Sequence, residues 1–135
     1  MKVSVFGNPD LKEDSLGVRL IGRLRKQFPG VKFKIEDPVE GLRPPEDGLW
    51  VILDVAKGIE GVRVVNDLDK LIDERRVSLH DYDVGMELKL LKKLGKIKEL
   101  RLIMVAMGMK EDKALRLISQ QLSQFIPKEL GQRYG

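Results

Sequence analysis

Leu49-Trp50-Val51-Ile52-Leu53 is an unbroken apolar run that ends on a carboxylate, Asp54. Its β-branched and aromatic content fits a strand buried on both faces, as in parallel sheets covered by helices on each side. A second run of the same kind is Leu100-Arg101-Leu102-Ile103-Met104-Val105-Ala106. Upstream of the first run, Lys2 to Phe6 alternates loosely and stops at the turn-forming Gly7-Asn8-Pro9. Leu16, Leu20, Ile21, Leu24 and Phe28 recur with helical spacing, with Asp14 or Ser15 placed to cap and Pro29-Gly30 to stop the helix. Val31, Phe33 and Ile35 alternate with lysines, which predicts a half-buried strand. Residues 37–47 hold three prolines and one glycine and read as a loop.

Downstream, Ala56 to Gly61 reads as a turn and Val62 to Val65 as a short returning strand, so Leu49–Val65 is expected to form a hairpin. Asp67 to Arg76 is charged and irregular. Tyr82 to Gly95 reads as a helix with Val84, Leu88, Leu91 and the neighbouring Leu94 facing the core. Met107-Gly108-Met109 is turn-like, and Lys113 to Ile126 is a last helix with Ala114, Leu117, Ile118, Leu122 and Phe125 inward. Pro127 opens an exposed tail. Strands alternating with helices give an α/β fold: three layers, α/β/α, around a mostly parallel sheet of about five strands, one of them antiparallel. The 135 residues form a single domain, 1–135.

Composition excludes several classes. There is no cysteine, hence no disulfide, thiolate metal site or cysteine nucleophile. No apolar run approaches bilayer length, and the amino terminus enters a strand pattern, which points to a cytoplasmic protein. The net charge is +4, with lysines gathered at 89, 92, 93, 96 and 98. Acids are interspersed, aromatics are few and no RNA-binding signature occurs, so a solvated surface is the simpler reading. The loop after Gly7 lacks any Gly-x-Gly-x-x-Gly or Gly-Lys-Ser/Thr, and its Asp10, Glu13 and Asp14 would repel phosphate. Ser4, Ser15, Ser78, Ser119 and Ser123 lie in no nucleophile-elbow motif.

In such folds ligands bind beyond the carboxyl ends of the strands, where strand order reverses. Three groups head for that edge: Asp14 after the first strand, Asp54 on the third, and His80, the only histidine, ahead of the helix leading to the last. Two carboxylates and an imidazole can share a divalent transition metal. Each has a plainer role available. Asp14 can cap a helix, Asp54 can cap a turn, and His80 can be a surface polar group. Glu13 is the alternative ligand to Asp14. Asp81 and Asp83 can hold the imidazole in one tautomer or simply open a helix.

Val3-Ser4-Val5-Phe6-Gly7-Asn8 followed by Leu11-Lys12-Glu13-Asp14-Ser15-Leu16-Gly17 resembles the amino-terminal signature of the hydrogenase maturation proteases: a strand, Gly-Asn, a short loop, an acidic pair and a helical glycine. Leu49 to Asp54 is similar to the family's second strand ending in aspartate. Ser78-Leu79-His80-Asp81-Tyr82-Asp83-Val84-Gly85 is similar to its histidine motif. The three occur in family order over most of the chain. The resemblance implies an endopeptidase that removes the carboxy-terminal extension of a nickel–iron hydrogenase large-subunit precursor once nickel is inserted. Asp14, Asp54 and His80 would recognise the nickel, which the substrate carries; other divalent metals could take its place. A carboxylate such as Asp54 would also assist water attack. The implied partner is the precursor, with no nucleic acid or membrane and the protein a monomer. The chain departs from the pattern at Val5, where the family has glycine, and in a shortened turn of which Asp37 and Gly41 are the remnant. A non-catalytic precursor-binding relative and a small nucleotide- or RNA-binding α/β module are the alternative readings.

Overall fold

A computed structural model of the protein describes residues 1–7, 16–37, 40–46, 48–56, 58–66 and 84–126. In chain order the elements are β1 (Lys2–Phe6), α1 (Leu16–Gln27), β2 (Lys32–Glu36), β3 (Leu49–Ala56), β4 (Val62–Val65), α2 (Val84–Lys93), β5 (Glu99–Ala106) and α3 (Glu111–Phe125). The strands form one sheet in the order β2-β1-β3-β5-β4. β1 is parallel to β2 and β3, and β3 is parallel to β5; among the described strands only β4 runs antiparallel, against β5.

Residue alternation divides the core. Val3, Val5, Val51, Leu53, Val55, Ile103 and Val105 face a layer made by α1 and α3, which bring Leu16, Leu20, Leu24, Ala114, Ile118 and Leu122. Phe6, Trp50, Ile52, Ala56, Leu102 and Met104 face the other side, where Leu42 and Leu88 of α2 cover them. This is the expected three-layer α/β/α arrangement. The β2-to-β3 connection has no described helix, and its Leu42 fills the part of that face that a helix would otherwise close.

Three expectations need correction. The Leu49–Val65 hairpin does not form. β3 has β1 on one side and β5 on the other, so β4 pairs instead with the outer edge of β5, Val62 opposite Val105 and Val65 opposite Leu102. The strand carrying Asp54 does not end there but continues two residues to Ala56. Leu94 does not face the core: it is 62% exposed. α2 closes at Gly95, whose φ is +73°, with Gly95 N–H donating to Lys92 O and Lys96 N–H to Leu91 O. Leu94 is still bonded to the helix, its N–H donating to Leu90 O, and at about 100° per residue it lies roughly 120° round from Leu88, beside the exposed Leu90.

Smaller differences follow the same logic. Ile35, at the end of edge strand β2, is 44% exposed, while Glu36 beside it is buried and paired with Lys2 at 2.7 Å. Leu117 is only half-buried, and α3 starts at Glu111, two residues before Lys113. The tail from Pro127, Ser15 as a cap and the segment Asp67–Arg76 lie outside the described residues.

Candidate functional site

Strand order places the reversal between β1 and β3: the chain goes from β1 to β2 on one side, then returns to put β3 on the other. The crevice that this creates at the carboxyl edge is the expected ligand position. Asp54 stands there. The β1–β3 pairing ends at Val5 opposite Leu53, whereas β3 and β5 remain paired through Asp54–Met104, Val55–Val105 and Ala56–Ala106. Asp54 is thus the first β3 residue past its last partner on β1. It belongs to the same alternating set as Trp50, Ile52 and Ala56, which looks toward α2.

Asp54 as a residue is only 7% exposed, and its Oδ1 accepts the Val55 N–H at 2.9 Å. Burying a carboxylate is costly unless its oxygens are bonded, and this bond offsets part of that cost. Two helices begin near the same edge. Gly17, in the first turn of α1, lies so close to the sheet that a Cβ there would come within 3.1 Å of Val5 Cγ1 and 3.8 Å of Leu53 Cδ2. The absent side chain therefore lets the start of α1 rest on the residue next to Asp54. On the other face, Glu87 in the first turn of α2 accepts the Leu42 N–H at 3.4 Å, tying that helix start to the loop after β2.

Of the three predicted metal-binding residues, the structure places Asp54. Asp14 and His80 lie outside the described residues, as do Asp10, Glu13, Ser78, Asp81 and Asp83. Among the described residues no group of three acidic or histidine side chains gathers. The serines that are described serve the fold. Ser4 Oγ accepts the Trp50 indole N–H at 2.8 Å, Ser119 Oγ donates to Gln27 Oε1 at 2.9 Å, and Ser123 Oγ donates to Ser119 O at 2.8 Å.

Asp37 and Gly41 lie beyond the carboxyl end of β2. Glu40 N–H donates to Asp37 O at 3.0 Å, and Gly41 has φ +112°, a conformation that other residues rarely adopt. Asp37, Glu40 and Gly41, with Glu36 and Arg43, line a cavity of about 160 Å³. Glu36 was missed at the sequence level. Its Oε1 accepts from Lys2 Nζ, while its buried Oε2 has no partner among the described residues. The only sequence signal was its place opposite Ile35 in the alternation of β2.

No known protein family matches the sequence, and no curated protein matches it. Solved structures do match in fold. The chain has the α/β fold of the hydrogenase maturation proteases. The structures include an endopeptidase from Escherichia coli (18% identity, TM-score 0.66, 92% of this chain and 91% of that one). They also include the [NiFe] hydrogenase maturation protease HybD from Thermococcus kodakarensis (19%, 0.57, 90% and 99%). A third is the hydrogenase maturating endopeptidase HybD from E. coli (18%, 0.57, 92% and 89%). No helix among the described residues is long and apolar enough to cross a membrane.

Proposed function

We propose that this protein is an endopeptidase that removes the carboxy-terminal extension of a nickel–iron hydrogenase large-subunit precursor after nickel insertion. The observation that carries the reading is Asp54, a buried carboxylate at the strand-order reversal of a fold shared with hydrogenase maturation proteases. Asp14, Asp54 and His80 hold the nickel-bearing end of the precursor. Two carboxylates and an imidazole suit nickel, and other divalent metals can use the same donors. Two features support convergence: Gly17, three residues after Asp14, packs on Leu53 beside Asp54, and α2, which begins four residues after His80, covers the face on which Asp54 lies.

The nickel arrives with the substrate and marks it as ready. Asp54 accepts a proton from a water molecule as its oxygen bonds to the scissile carbonyl carbon. The carbon–nitrogen bond then breaks and the proton passes to the leaving amine. The products are the shortened large subunit and the released peptide. The partner is the precursor, met in the cytoplasm by a protein acting as a monomer.

The test is incubation with nickel-loaded and nickel-free precursor, read by mass spectrometry. The expected result is a shortened product from the loaded precursor alone. Binding without cleavage would make the protein a non-catalytic relative that docks the precursor, and absence of both would remove the assignment.

A further inference from the structure

The solvent face of α1 carries one sign of charge. Residues 15–35 hold six basic side chains and no acid, more than the net charge of +4 for the whole protein. All six are exposed: Arg19, Arg23, Arg25 and Lys26 on α1, Lys32 and Lys34 on edge strand β2. Arg25 and Lys26 complement the carbonyl end of the helix. Two other residues of this face work against the helix. Arg19 stands in the first turn, where a cation opposes the helix dipole. Gly22 stands in the interior, where glycine costs about 0.5–1 kcal/mol relative to alanine. Packing does not ask for it: unlike Gly17, Gly22 is exposed, and a Cβ there would meet nothing from elsewhere in the protein within 4 Å. Its neighbours one turn away on the helix surface are Arg19, Arg25 and Lys26, with the half-buried Val18 as the fourth. Bare backbone thus lies between three cations. Arg23 and Arg25, about 200° apart on the helix, mark its two flanks. Arg25 Nη2 donates to Phe33 O at 3.0 Å, and Arg23 Nη1 to Asp112 Oδ1 at 2.8 Å, an exposed pair that another anion can replace at little cost.

We infer that this face, with Arg19, Arg23, Arg25 and Lys26 around Gly22, binds the phosphodiester backbone of a nucleic-acid duplex without reading its sequence. Clustered cations with no acid on the same helix match a strand of regularly spaced phosphates. The missing side chain at Gly22 lets a backbone come close between them. An acidic protein surface fits less well. Such interfaces need an apolar centre, and the large apolar residues exposed among the described ones are Ile35, Leu90, Leu94 and Met107, none of them on α1. A membrane fits less well too, because a flat surface meets only the crest of a ridge whose cations reach both flanks, whereas the two strands bordering a duplex groove meet both. A single strand lacks a stacking platform, since Phe28 and Phe33 are buried. The face is also separate from the proposed peptidase centre: Leu20 and Leu24 seat α1 on one side of the sheet, and Asp54 looks to the other.

The test is fluorescence anisotropy on the full chain with labelled DNA and RNA duplexes of two unrelated sequences. The comparison probes are single-stranded DNA, a polyglutamate peptide and phosphatidylserine vesicles. A duplex is expected to bind best, alike for both sequences, with log K falling against log salt with a slope of about −3 to −4 for four phosphate contacts. The tighter of the two duplex types names the source of the backbone. Arg19→Glu/Lys26→Glu is expected to raise Kd about tenfold or more and to reduce the slope by about 2. Gly22→Glu, whose side chain meets no neighbour, is expected to weaken binding at least as much as Gly22→Gln and to keep the urea midpoint at or above that of the parent. No duplex binding at about 50 mM salt, a slope near zero, or equal or tighter binding of the single strand, the peptide or the vesicles overturns the inference. So does unchanged affinity in the folded Arg19→Glu/Lys26→Glu variant.

Discussion

Asp54 shows how one carboxylate can serve both fold and chemistry. Its Oδ1 accepts a backbone N–H while strand geometry holds it at the edge where the pairing of β3 with β1 has already ended. Asp54→Asn keeps an oxygen for Val55 and removes the charge, so stability in urea should change little while precursor processing is lost. Full processing in this variant would exclude Asp54 from the reaction. His80→Ala and Asp14→Ala should abolish or impair processing in the same assay. If Glu13→Ala is the damaging change instead, the acidic ligand is Glu13. Two buried polar pairs make purely structural predictions. Ser4→Ala leaves the Trp50 indole N–H without its acceptor and should cost about 1–3 kcal/mol in urea unfolding. Lys2→Met strands the buried Glu36 carboxylate, whose second oxygen lacks a partner among the described residues, and should cost about 3–5 kcal/mol. Adding Glu36→Leu should recover most of that loss, because the cost comes from an unpaired charge rather than from a missing attraction.

At the scale of elements, the close approach of α1 to the sheet depends on Gly17. Alanine there gains helix propensity against one tight contact, so the two effects oppose each other. Gly17→Val adds two more carbon atoms where Val5 and Leu53 already stand. It should lose about 1–3 kcal/mol and also reduce processing, since it pushes α1 off the residue beside Asp54. Restored processing in a stabilised background would mean that only the fold had suffered. The long elements were legible in the sequence because their signals are local: the apolar runs of β3 and β5, and the helical spacing of Leu16, Leu20, Ile21 and Leu24. What was illegible is decided by distant partners. Val62 to Val65 reads as a strand, but nothing within four residues says which edge it joins. Leu94 keeps the three-residue spacing of Leu88 and Leu91, yet such steps drift round the helix and bring it beside the exposed Leu90. Glu36 is buried because Lys2, from a different strand, reaches it.

At the scale of the molecule, the sheet should not open evenly. Among the described strands, β1, β3 and β5 are flanked on both sides, whereas β2 and β4 each have one neighbour. Amide hydrogen exchange should therefore be slowest at Val51 to Leu53 and Leu102 to Met104, and faster throughout β4. Equal protection of β4 and β3 would mean that the sheet opens as one unit. Asp54 could be found because it follows a buried run at the edge where α/β folds bind ligands. Its proposed companions rest on the order of the elements and on motif resemblance, and neither Asp14 nor His80 is among the described residues. The antiparallel pairing of β4 also bears on synthesis. Val62 meets Val105, a residue that leaves the ribosome only after the whole of α2 has been made. The nascent chain must carry β4 unpaired through that interval, and β5 is the last strand to arrive. Its insertion beside β3 creates the edge that β4 has been waiting for, so an earlier translation product closes the sheet after a later one.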